Sequence, residues 1–165
     1  FESIKSRLKK PVSIYEKLKH RRIPFSVKNI EEYLTDVAGL RVICSFIDDI
    51  YEVAHMLSSQ DDVKVVEVKD YIKNPKDNGY KSYHMVVTVP VYLGDGKIDT
   101  KVEIQIRTIA MDFWASLEHK LKYKQNIADA ENITEELFFC ADLISQLDRR
   151  MQQIRMRIDE ANNQD

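Results

Sequence analysis

Two acidic residues, Asp36 and Glu103, have the chemistry to bind one divalent cation. Asp36 lies between a predicted helix end and the strand that holds Arg41, and Glu103 lies on the polar face of a later strand. If these strands are neighbours, both carboxylates can face one Mg²⁺, which usually takes one or two carboxylates together with substrate phosphates. In the structural alternative, Asp36 caps a turn and Glu103 pairs with Lys101 or Arg107. Taken alone, the pair favours that alternative.

A basic segment near the start of the chain has groups suited to phosphates. Arg7 and Lys9 precede a helix that is predicted to begin at Pro11, and Ser13 and Lys17 are four residues apart on one helical face. Backbone N–H groups at a helix start, together with Ser and Lys, can cradle a polyphosphate, and an Arg side chain can stack on a base. The alternative, a solvated basic helix, is favoured when this segment is taken alone.

The stretch KNPKDNGYKSYHMVV, residues 73–87, carries more functional groups than a turn requires. On a strand, Asn78, Tyr80, Ser82 and His84 would share one face. Tyr80 can then lie on a nucleobase and Asn78 can bond its edge, while Lys76 and His84 reach phosphates. An equally favoured alternative makes Tyr80 a packed strand aromatic and His84 a core histidine.

The helix after the Glu103 strand carries two more carboxylates, Asp112 and Glu118. A single carboxylate can accept both adjacent N–H donors of guanine, so either residue can recognise that base. Glu118 with Lys122 is equally well explained as a surface pair four residues apart on a helix.

Hydrophobic periodicity predicts a mixed sheet with helices against it. Alternation over residues 99–108 separates an apolar face from a polar face, with Val102, Ile104 and Ile106 against Lys101, Glu103, Gln105 and Arg107. Strands are predicted at residues 40–46, 63–72, 80–93 and 99–108, the last two forming a hairpin through Gly94, Asp95 and Gly96. Helices are predicted at residues 11–21, 27–35, 48–59 and 108–124, and the chain is also predicted to start, at Phe1, inside a helix. This order indicates an α/β (α+β) fold.

The last two helices carry apolar residues whose partners the sequence leaves open. Thr108 is predicted to cap the first, with an inward set of Ala110, Phe113, Trp114, Leu117 and Leu121. The second is predicted to start with a capping box at Asn132 and Glu135. This helix carries a narrow apolar stripe that can pack on its own domain or on a second subunit, and the two alternatives are about equally favoured. The stripe comprises Leu137, Cys140, Ile144, Leu147, Met151, Ile154 and Ile158. We predict a catalytic domain at residues 1–125 and a helical extension at residues 126–165.

Composition limits the class of protein. The chain has 165 residues, enough for one domain with a proper core, and a net charge of −2 that does not favour a polyanionic partner globally. Residues 1–30 nevertheless hold nine Lys or Arg against two Glu, a local patch that suits phosphates or RNA. Cys44 and Cys140, each in an apolar run, are predicted to be buried thiols in a reducing compartment. No apolar run approaches the length of a membrane span, and no P-loop, zinc motif or His-Asp dipeptide occurs.

Five ordered motifs together resemble the synthetase domain of RelA/SpoT homologues. They are Arg7-x-Lys9-x₃-Ser13-x₃-Lys17, DVAGLRV (36–42), NGYKSYH (78–84), EIQIRT (103–108) and MDFWASLEHKLKYK (111–124). The resemblance covers about residues 5–124 and is strongest to the stand-alone small alarmone synthetases, also called GTP pyrophosphokinases. The missing His-Asp pair fits the small form, since long members also carry a hydrolase domain with that motif.

The resemblance implies a nucleotidyltransferase-like mixed sheet flanked by helices. The implied reaction moves the β,γ-pyrophosphate of ATP to the 3′-hydroxyl of GDP or GTP, with Mg²⁺ as cofactor. It releases AMP and yields (p)ppGpp, the alarmone of the stringent response. The resemblance also implies a homotetramer in the bacterial cytoplasm, with no membrane partner. It is compatible with (p)ppGpp as an allosteric ligand and with RNA as a partner that is not required.

The resemblance also assigns roles to residues. Asp36 and Glu103 would be the catalytic carboxylates that bind Mg²⁺, and Glu103 would also help to deprotonate the 3′-hydroxyl. Donor ATP would have its adenine between Arg7 and Arg41 and its phosphates at Lys9, Ser13 and Lys17. The acceptor guanine would stack on Tyr80, with Lys76, Asn78, His84, Gln105, Asp112 and Glu118 around that nucleotide. Some relatives carry Asn where this chain has Asp112, which leaves the guanine-reading role of Asp112 open.

Two rival functions stay open from the sequence. One keeps the fold but transfers pyrophosphate to another acceptor, an adenine nucleotide or the 3′ end of tRNA. The other is a non-catalytic domain that binds guanine nucleotides or RNA and acts as a regulator.

Overall fold

The structure, a computed structural model, describes residues 1–122 and 130–163 of the chain. Predicted elements within residues 11–122 are present, with bounds shifted by a few residues, and the predicted helix end at Lys124 lies outside the described residues. The elements are β1 (Ser3–Leu8), α1 (Pro11–His20), α2 (Val27–Tyr33), β2 (Ala38–Cys44), α3 (Ile47–Ser58), β3 (Lys64–Asp70), β4 (Tyr83–Leu93), β5 (Gly96–Thr108), α4 (Ile109–Lys122) and α5 (Ala130–Asn162).

The described strands form one mixed sheet in the order β1-β2-β5-β4-β3. Strands β2 and β5 run parallel and the other neighbours run antiparallel. β2 and β5 pair directly, so Gly39 stands opposite Glu103 and Arg41 opposite Gln105. This confirms the predicted mixed sheet, and it makes β2, which Asp36 precedes, a neighbour of β5, which carries Glu103.

The two faces of the sheet have different environments. One face is covered by α3, where Ile50 and Ala54 pack against a buried cluster that includes Val42, Met85 and Ile106. Burying an aliphatic side chain of this size stabilises the fold by about 1.5–3 kcal/mol, so this face provides much of the core. The alternating residues of β5, Glu103 and Gln105 among them, therefore project from the opposite face.

The helices α1 and α2 form a small second core beside the sheet. Ile14 and Leu18 of α1 pack with Leu34, which follows α2. Ser26 caps α2 by accepting a hydrogen bond from the backbone N–H of Asn29 at 3.1 Å, as an N-cap serine is expected to do. This packing fixes α1 next to the segment that leads into β2.

The prediction that the chain starts inside a helix was wrong, because residues Ser3–Leu8 form strand β1. β1 pairs antiparallel with β2 and places Arg7 opposite Gly39. The residues of β1 are mostly exposed. The segment therefore lacks the alternation of apolar and polar residues by which a strand is predicted from sequence. We attribute the strand conformation of Ser3–Leu8 to pairing with β2, because this pairing gives the backbone N–H and C=O groups at that edge of β2 hydrogen-bond partners.

The predicted inward face of α4 was only partly correct. Met111, Trp114 and Ala115 are buried, whereas Phe113, Leu117 and Leu121 are exposed by 58%, 42% and 52%. A helix of this kind buries only the stripe that meets its neighbours, and here those neighbours are β5 and α5. Thr108 does cap α4, accepting the N–H of Met111 at 3.1 Å.

Helix α5 also differs from its predicted pattern. It already includes Ala130, so Asn132 lies within the helix and not at its N-cap. Cys140 is exposed, against the prediction, while Cys44 is buried as predicted. Of the predicted stripe, Leu137 and Ile144 pack on Trp114, but Leu147, Met151, Ile154 and Ile158 are exposed. Within this chain, α5 instead buries Ala141, Ser145, Asp148 and Gln152.

None of the helices in residues 1–122 and 130–163 combines the length and the apolarity needed to span a bilayer. The division into a catalytic domain and a helical extension stays a prediction, and its boundary at 125/126 lies outside the described residues.

Candidate active site

A cavity of about 450 Å³ opens over the polar face of the sheet. Both Asp36 and Glu103 line it, so the two carboxylates that are far apart in sequence reach one space. The predicted site residues along its wall are Arg7, Asp36, Lys76, Asn78, Tyr80, His84, Glu103, Gln105 and Glu118. The structure thus brings both predicted metal ligands and six of the seven predicted acceptor residues to one cavity, whereas Arg7 is the one predicted donor residue among those that line it.

Asp36 is tied to the basic segment by two short ion pairs. The ammonium groups of Lys9 and Lys17 donate to Oδ2 of Asp36 at 2.9 and 2.7 Å. Burial by itself would raise the pKa of Asp36, but hydrogen bonds from Lys17 and Lys9 outweigh it and hold that pKa below its ordinary value. The other oxygen, Oδ1, is buried and has no hydrogen-bond partner among the described residues. A buried anionic oxygen without a donor is suited to a cation.

Glu103 lies among polar groups on β5 and β4. Nε2 of Gln105 donates to Oε2 of Glu103 at 3.3 Å. Nδ1 of His84 lies 3.7 Å from Oε1 of the same carboxylate, which is longer than a hydrogen bond. The sequence alternatives of a pair with Lys101 or Arg107 are not realised, since Lys101 donates to carbonyl oxygens of residues 31 and 32 and Arg107 binds other groups.

Tyr80 and His84 form a hydrogen-bonded chain with Arg107. Nη2 of Arg107 donates to the hydroxyl of Tyr80 at 2.5 Å, and that hydroxyl lies 2.8 Å from Nε2 of His84. Because the Tyr80 oxygen already accepts from the guanidinium, its proton is directed at His84, whose Nε2 must then be unprotonated. Burial, with Arg107, Lys76, Lys69 and Arg41 nearby, lowers the pKa of His84 to about 3. His84 is therefore a neutral acceptor at neutral pH.

Asn78, Tyr80 and Ser82 lie in a loop before β4 and not on a strand, which corrects the predicted start of that strand at residue 80. The loop still brings Tyr80 to His84, and Asn78 donates to Oε1 of Glu118 at 3.2 Å. Nζ of Lys76 lies 4.9 Å from the centroid of the Tyr80 ring. The predicted cluster is present, although it is built by a turn. The alternative partner of Glu118, the side chain of Lys122, lies outside the described part of the chain.

Asp112 is not among the residues that line this cavity, and it accepts a hydrogen bond from Arg107. Nη1 of Arg107 is 3.1 Å from Oδ1 of Asp112, and Nη1 of Arg41 is 3.5 Å from the same oxygen. Asp112 is therefore placed as a partner of two arginines, and the geometry gives no support to a direct guanine contact. Ser13 lies in the first turn of α1 and is not among the residues that line the cavity.

Arg7 and Arg41 lie on neighbouring strands and line two further spaces. One is a cleft of about 130 Å³ lined by β1, β2 and β5, and the other is a cavity of about 410 Å³ that also reaches Tyr80 and His119. Nε of Arg41 is buried without a hydrogen-bond partner among the described residues. Burial, together with Arg107, lowers the pKa of Arg41.

Several wall residues were missed by the sequence analysis. Arg107 is 4% exposed and binds Tyr80, Asp112, Gln105 and Ser82. Its position on the polar face of the alternating strand was the signal that could have found it. Arg107 lines the cavity of about 410 Å³, whereas Glu67, Lys69 and Tyr71, on and just after β3, line the main cavity. The alternation in β3, an edge strand, is weak.

Comparisons with known proteins identify the family of this chain. The region found in RelA/SpoT proteins matches residues 6–128. The chain belongs to the RelA/SpoT family. It is 46% identical over 158 residues to GTP pyrophosphokinase YwaC of Bacillus subtilis (96% of this chain, 75% of the relative). It is also 41% identical over 160 residues to GTP pyrophosphokinase YjbM of the same organism (97% and 74%).

The fold is shared with solved structures of this family. Small alarmone synthetase 1 from Bacillus subtilis, bound to its product pppGpp, matches with a TM-score of 0.86 and 42% identity, covering 95% of this chain and 79% of that one. Three predictions are therefore confirmed: the RelA/SpoT family, the α+β fold with a mixed sheet, and the enzyme class, GTP pyrophosphokinase. The roles of individual residues stay predictions.

Proposed function

We propose that this chain transfers the β,γ-pyrophosphate of ATP to the 3′-hydroxyl of GDP or GTP, forming (p)ppGpp and AMP. The observation that carries this proposal is the shared cavity, in which Asp36, held by Lys9 and Lys17, and Glu103 line the same space as Tyr80. The similarity to GTP pyrophosphokinases, one of them solved with pppGpp, supports the same reaction.

On the donor side, the ammonium groups of Lys9 and Lys17 are the groups proposed to bind the ATP phosphates. Both pair with one oxygen of Asp36, so the two ammonium groups lie close together, which supports a shared role in binding phosphate. Arg7 and Arg41, on adjacent strands, are proposed to hold the adenine, because a planar guanidinium stacks on a base. Ser13 is proposed to contact phosphate from the first turn of α1.

On the acceptor side, the ring of Tyr80 is proposed to stack on guanine. A base on the face now covered by Lys76 would displace that ammonium group, and phosphates of the same nucleotide would provide its new partner. Asn78 and Glu118, already hydrogen-bonded to each other, can bind the base edge, while His84 and Gln105 line the wall between Tyr80 and Glu103. In this proposed arrangement the acceptor ribose would lie near Glu103.

Asp36 and Glu103 are the residues that would hold Mg²⁺. The residues fit the ion, because Oδ1 of Asp36 is buried without a donor and a pair of carboxylates leaves positions for phosphate oxygens and water. No group of three or more His, Cys, Asp or Glu side chains suited to a metal occurs in residues 1–122 and 130–163. When bound, Mg²⁺ would neutralise charge on the transferring phosphates.

The reaction exchanges one phosphorus–oxygen bond for another. The 3′-oxygen of the acceptor forms a bond to the β-phosphorus of ATP, and the bond from that phosphorus to the α,β-bridging oxygen breaks to release AMP. We propose that the carboxylate of Glu103 accepts the proton of the 3′-hydroxyl. Lys9 and Lys17 counter the charge that grows on the leaving oxygen, since this chemistry depends mainly on positioning and charge neutralisation.

The deciding experiment is chromatography of the products formed from γ-labelled ATP and Mg²⁺ with GDP, GTP, an adenine nucleotide or tRNA as acceptor. We expect label in ppGpp or pppGpp and equal amounts of AMP. Transfer of label only to the added adenine-nucleotide acceptor, or only to tRNA, would replace the proposed acceptor. Nucleotide binding without release of AMP would identify a non-catalytic regulator instead.

A further inference from the structure

Three of the proposed acceptor residues lie in a loop, residues 76–82, that has no regular secondary structure. Among its own backbone hydrogen bonds are Gly79 N–H to the carbonyl of Lys76 at 2.8 Å and Lys76 N–H to the carbonyl of Tyr80 at 3.2 Å. A stacking platform must be rigid to hold a base well. The support for this acceptor loop therefore has to come from the elements behind it.

Helix α5 lies directly behind the acceptor loop. Gly79 has a φ of +87°, and a Cβ added there would lie 2.6 Å from Cβ of Ala141. Such a contact is too close for two carbon atoms, so the loop and the helix meet at Gly79 and Ala141 because neither residue is larger. The ring of Tyr80 packs on the same cluster, which includes Trp114 and Ala141.

A buried polar connection reinforces this contact. Nζ of Lys81 donates to Oγ of Ser145 on α5, and Oγ also accepts from Arg149 at 3.1 Å. One turn further, Asp148 is 6% exposed and accepts from Oγ1 of Thr108 at 2.6 Å. Lys81, Ser145 and Asp148 line one small cavity with Gly79. Side chains of α5 thus bind both the acceptor loop and the end of the strand that carries Arg107.

We infer that α5 positions the acceptor-binding loop, with Lys81, Ser145 and Asp148 as positioning residues that set the affinity for the guanine nucleotide. The inference rests on the proposed function, since it assumes that Tyr80 binds the acceptor. This role differs from a contribution to folding, which would affect both nucleotides. The proposed donor groups on α1 and next to β2 are held by contacts that do not involve α5. Loss of the connection should therefore weaken acceptor binding much more than donor binding.

The test compares the affinities of the full chain for GDP and for a non-hydrolysable ATP analogue by calorimetry. In Lys81→Met, which keeps the length of the side chain and loses its charge, we expect the Kd for GDP to rise about tenfold, as for loss of a charged hydrogen bond. We expect the Kd for the ATP analogue to stay within about twofold, and Lys81→Arg to restore most of the GDP affinity. For Ser145→Ala we expect a rise of about fivefold in the GDP Kd.

Arg150→Met is the matched control, since it removes an exposed cation from the outward side of α5, and we expect both affinities to be unchanged. Trp114 is the only tryptophan of the chain, so its fluorescence reports whether α4 and α5 still pack in each variant. Unchanged GDP affinity in a folded Lys81→Met or Ser145→Ala chain overturns the inference, as does an equal loss for both nucleotides. If Lys81→Met does not fold, Ser145→Ala decides. A wild-type chain that binds neither GDP nor GTP overturns the proposed function itself.

Discussion

The neutral state of His84 gives a prediction whose size follows from the structure. His84 has a pKa lowered from 6.5 to about 3, mainly by burial and then by Arg107, Lys76, Lys69 and Arg41. Its side chain is 13% exposed, so solvent screens these effects little. Protonation of Nε2 would also set a donor against the hydroxyl of Tyr80, which is itself held by Arg107.

The direction of the pH effect follows from which state binds the proton more tightly. The unfolded chain has a histidine near its ordinary pKa, so it takes up a proton as the pH falls below about 6.5, while the folded chain does not until about pH 3. The stability contributed by neutral His84 is therefore fully present above pH 6.5 and is lost as the pH falls toward 3. The loss approaches about 1.4 kcal/mol per pH unit, or about 2 kcal/mol between pH 7 and pH 5.

The assay is urea unfolding at pH 7 and pH 5 for wild type and His84→Gln, whose amide oxygen can still accept from Tyr80. We expect the free energy of unfolding of the wild type to fall by about 2 kcal/mol more than that of the variant over this interval. Other titrating groups, Asp36 among them, are present in both chains and cancel in the difference. His20→Gln, at an exposed position, controls for the loss of an imidazole. Equal pH dependence in wild type and His84→Gln would refute the reasoning.

Three further predictions concern catalysis, recognition and assembly. Glu103→Gln should lower turnover by about 10³-fold or more with GDP binding largely intact by calorimetry, and retained turnover would end the proposed role. Tyr80→Ala should raise the KM for the acceptor, since stacking on a base is worth about 1–3 kcal/mol, and an unchanged KM would exclude stacking. Light scattering should show a smaller assembly for Leu147→Lys with Ile154→Lys, two residues exposed on α5. A folded variant of unchanged mass would rule out that stripe as a subunit contact.

The sequence was informative where a local pattern has a single structural solution. The alternation over residues 99–108 predicted the two faces of β5, with Ile104 and Ile106 in the core. Pro11 predicted the start of α1, and the ordered motifs predicted the family. These features depend on strand and helix periods and on residue types, which the chain carries in short segments.

The sequence was misleading where the environment decides burial. Phe113, Leu117 and Leu121 have the spacing of a core face, yet they are exposed because α4 meets its neighbours through Met111 and Trp114. β1 has no apolar alternation and forms only because β2 offers an open edge. Such outcomes depend on which surface packs against which, and no window of ten residues contains that information.

For the site, the sequence alone determined the inventory of groups: two carboxylates, a basic segment, and an aromatic loop with a histidine. Only the tertiary structure decided that Lys9 and Lys17 converge on Asp36, that Asp112 belongs to Arg107, and that α5 supports the loop of Tyr80. The physical reason is distance. Electrostatic and steric interactions act over a few ångströms, and these partners are brought within that range by the pairing of β2 with β5 and by the packing of α5, which join segments remote in the chain.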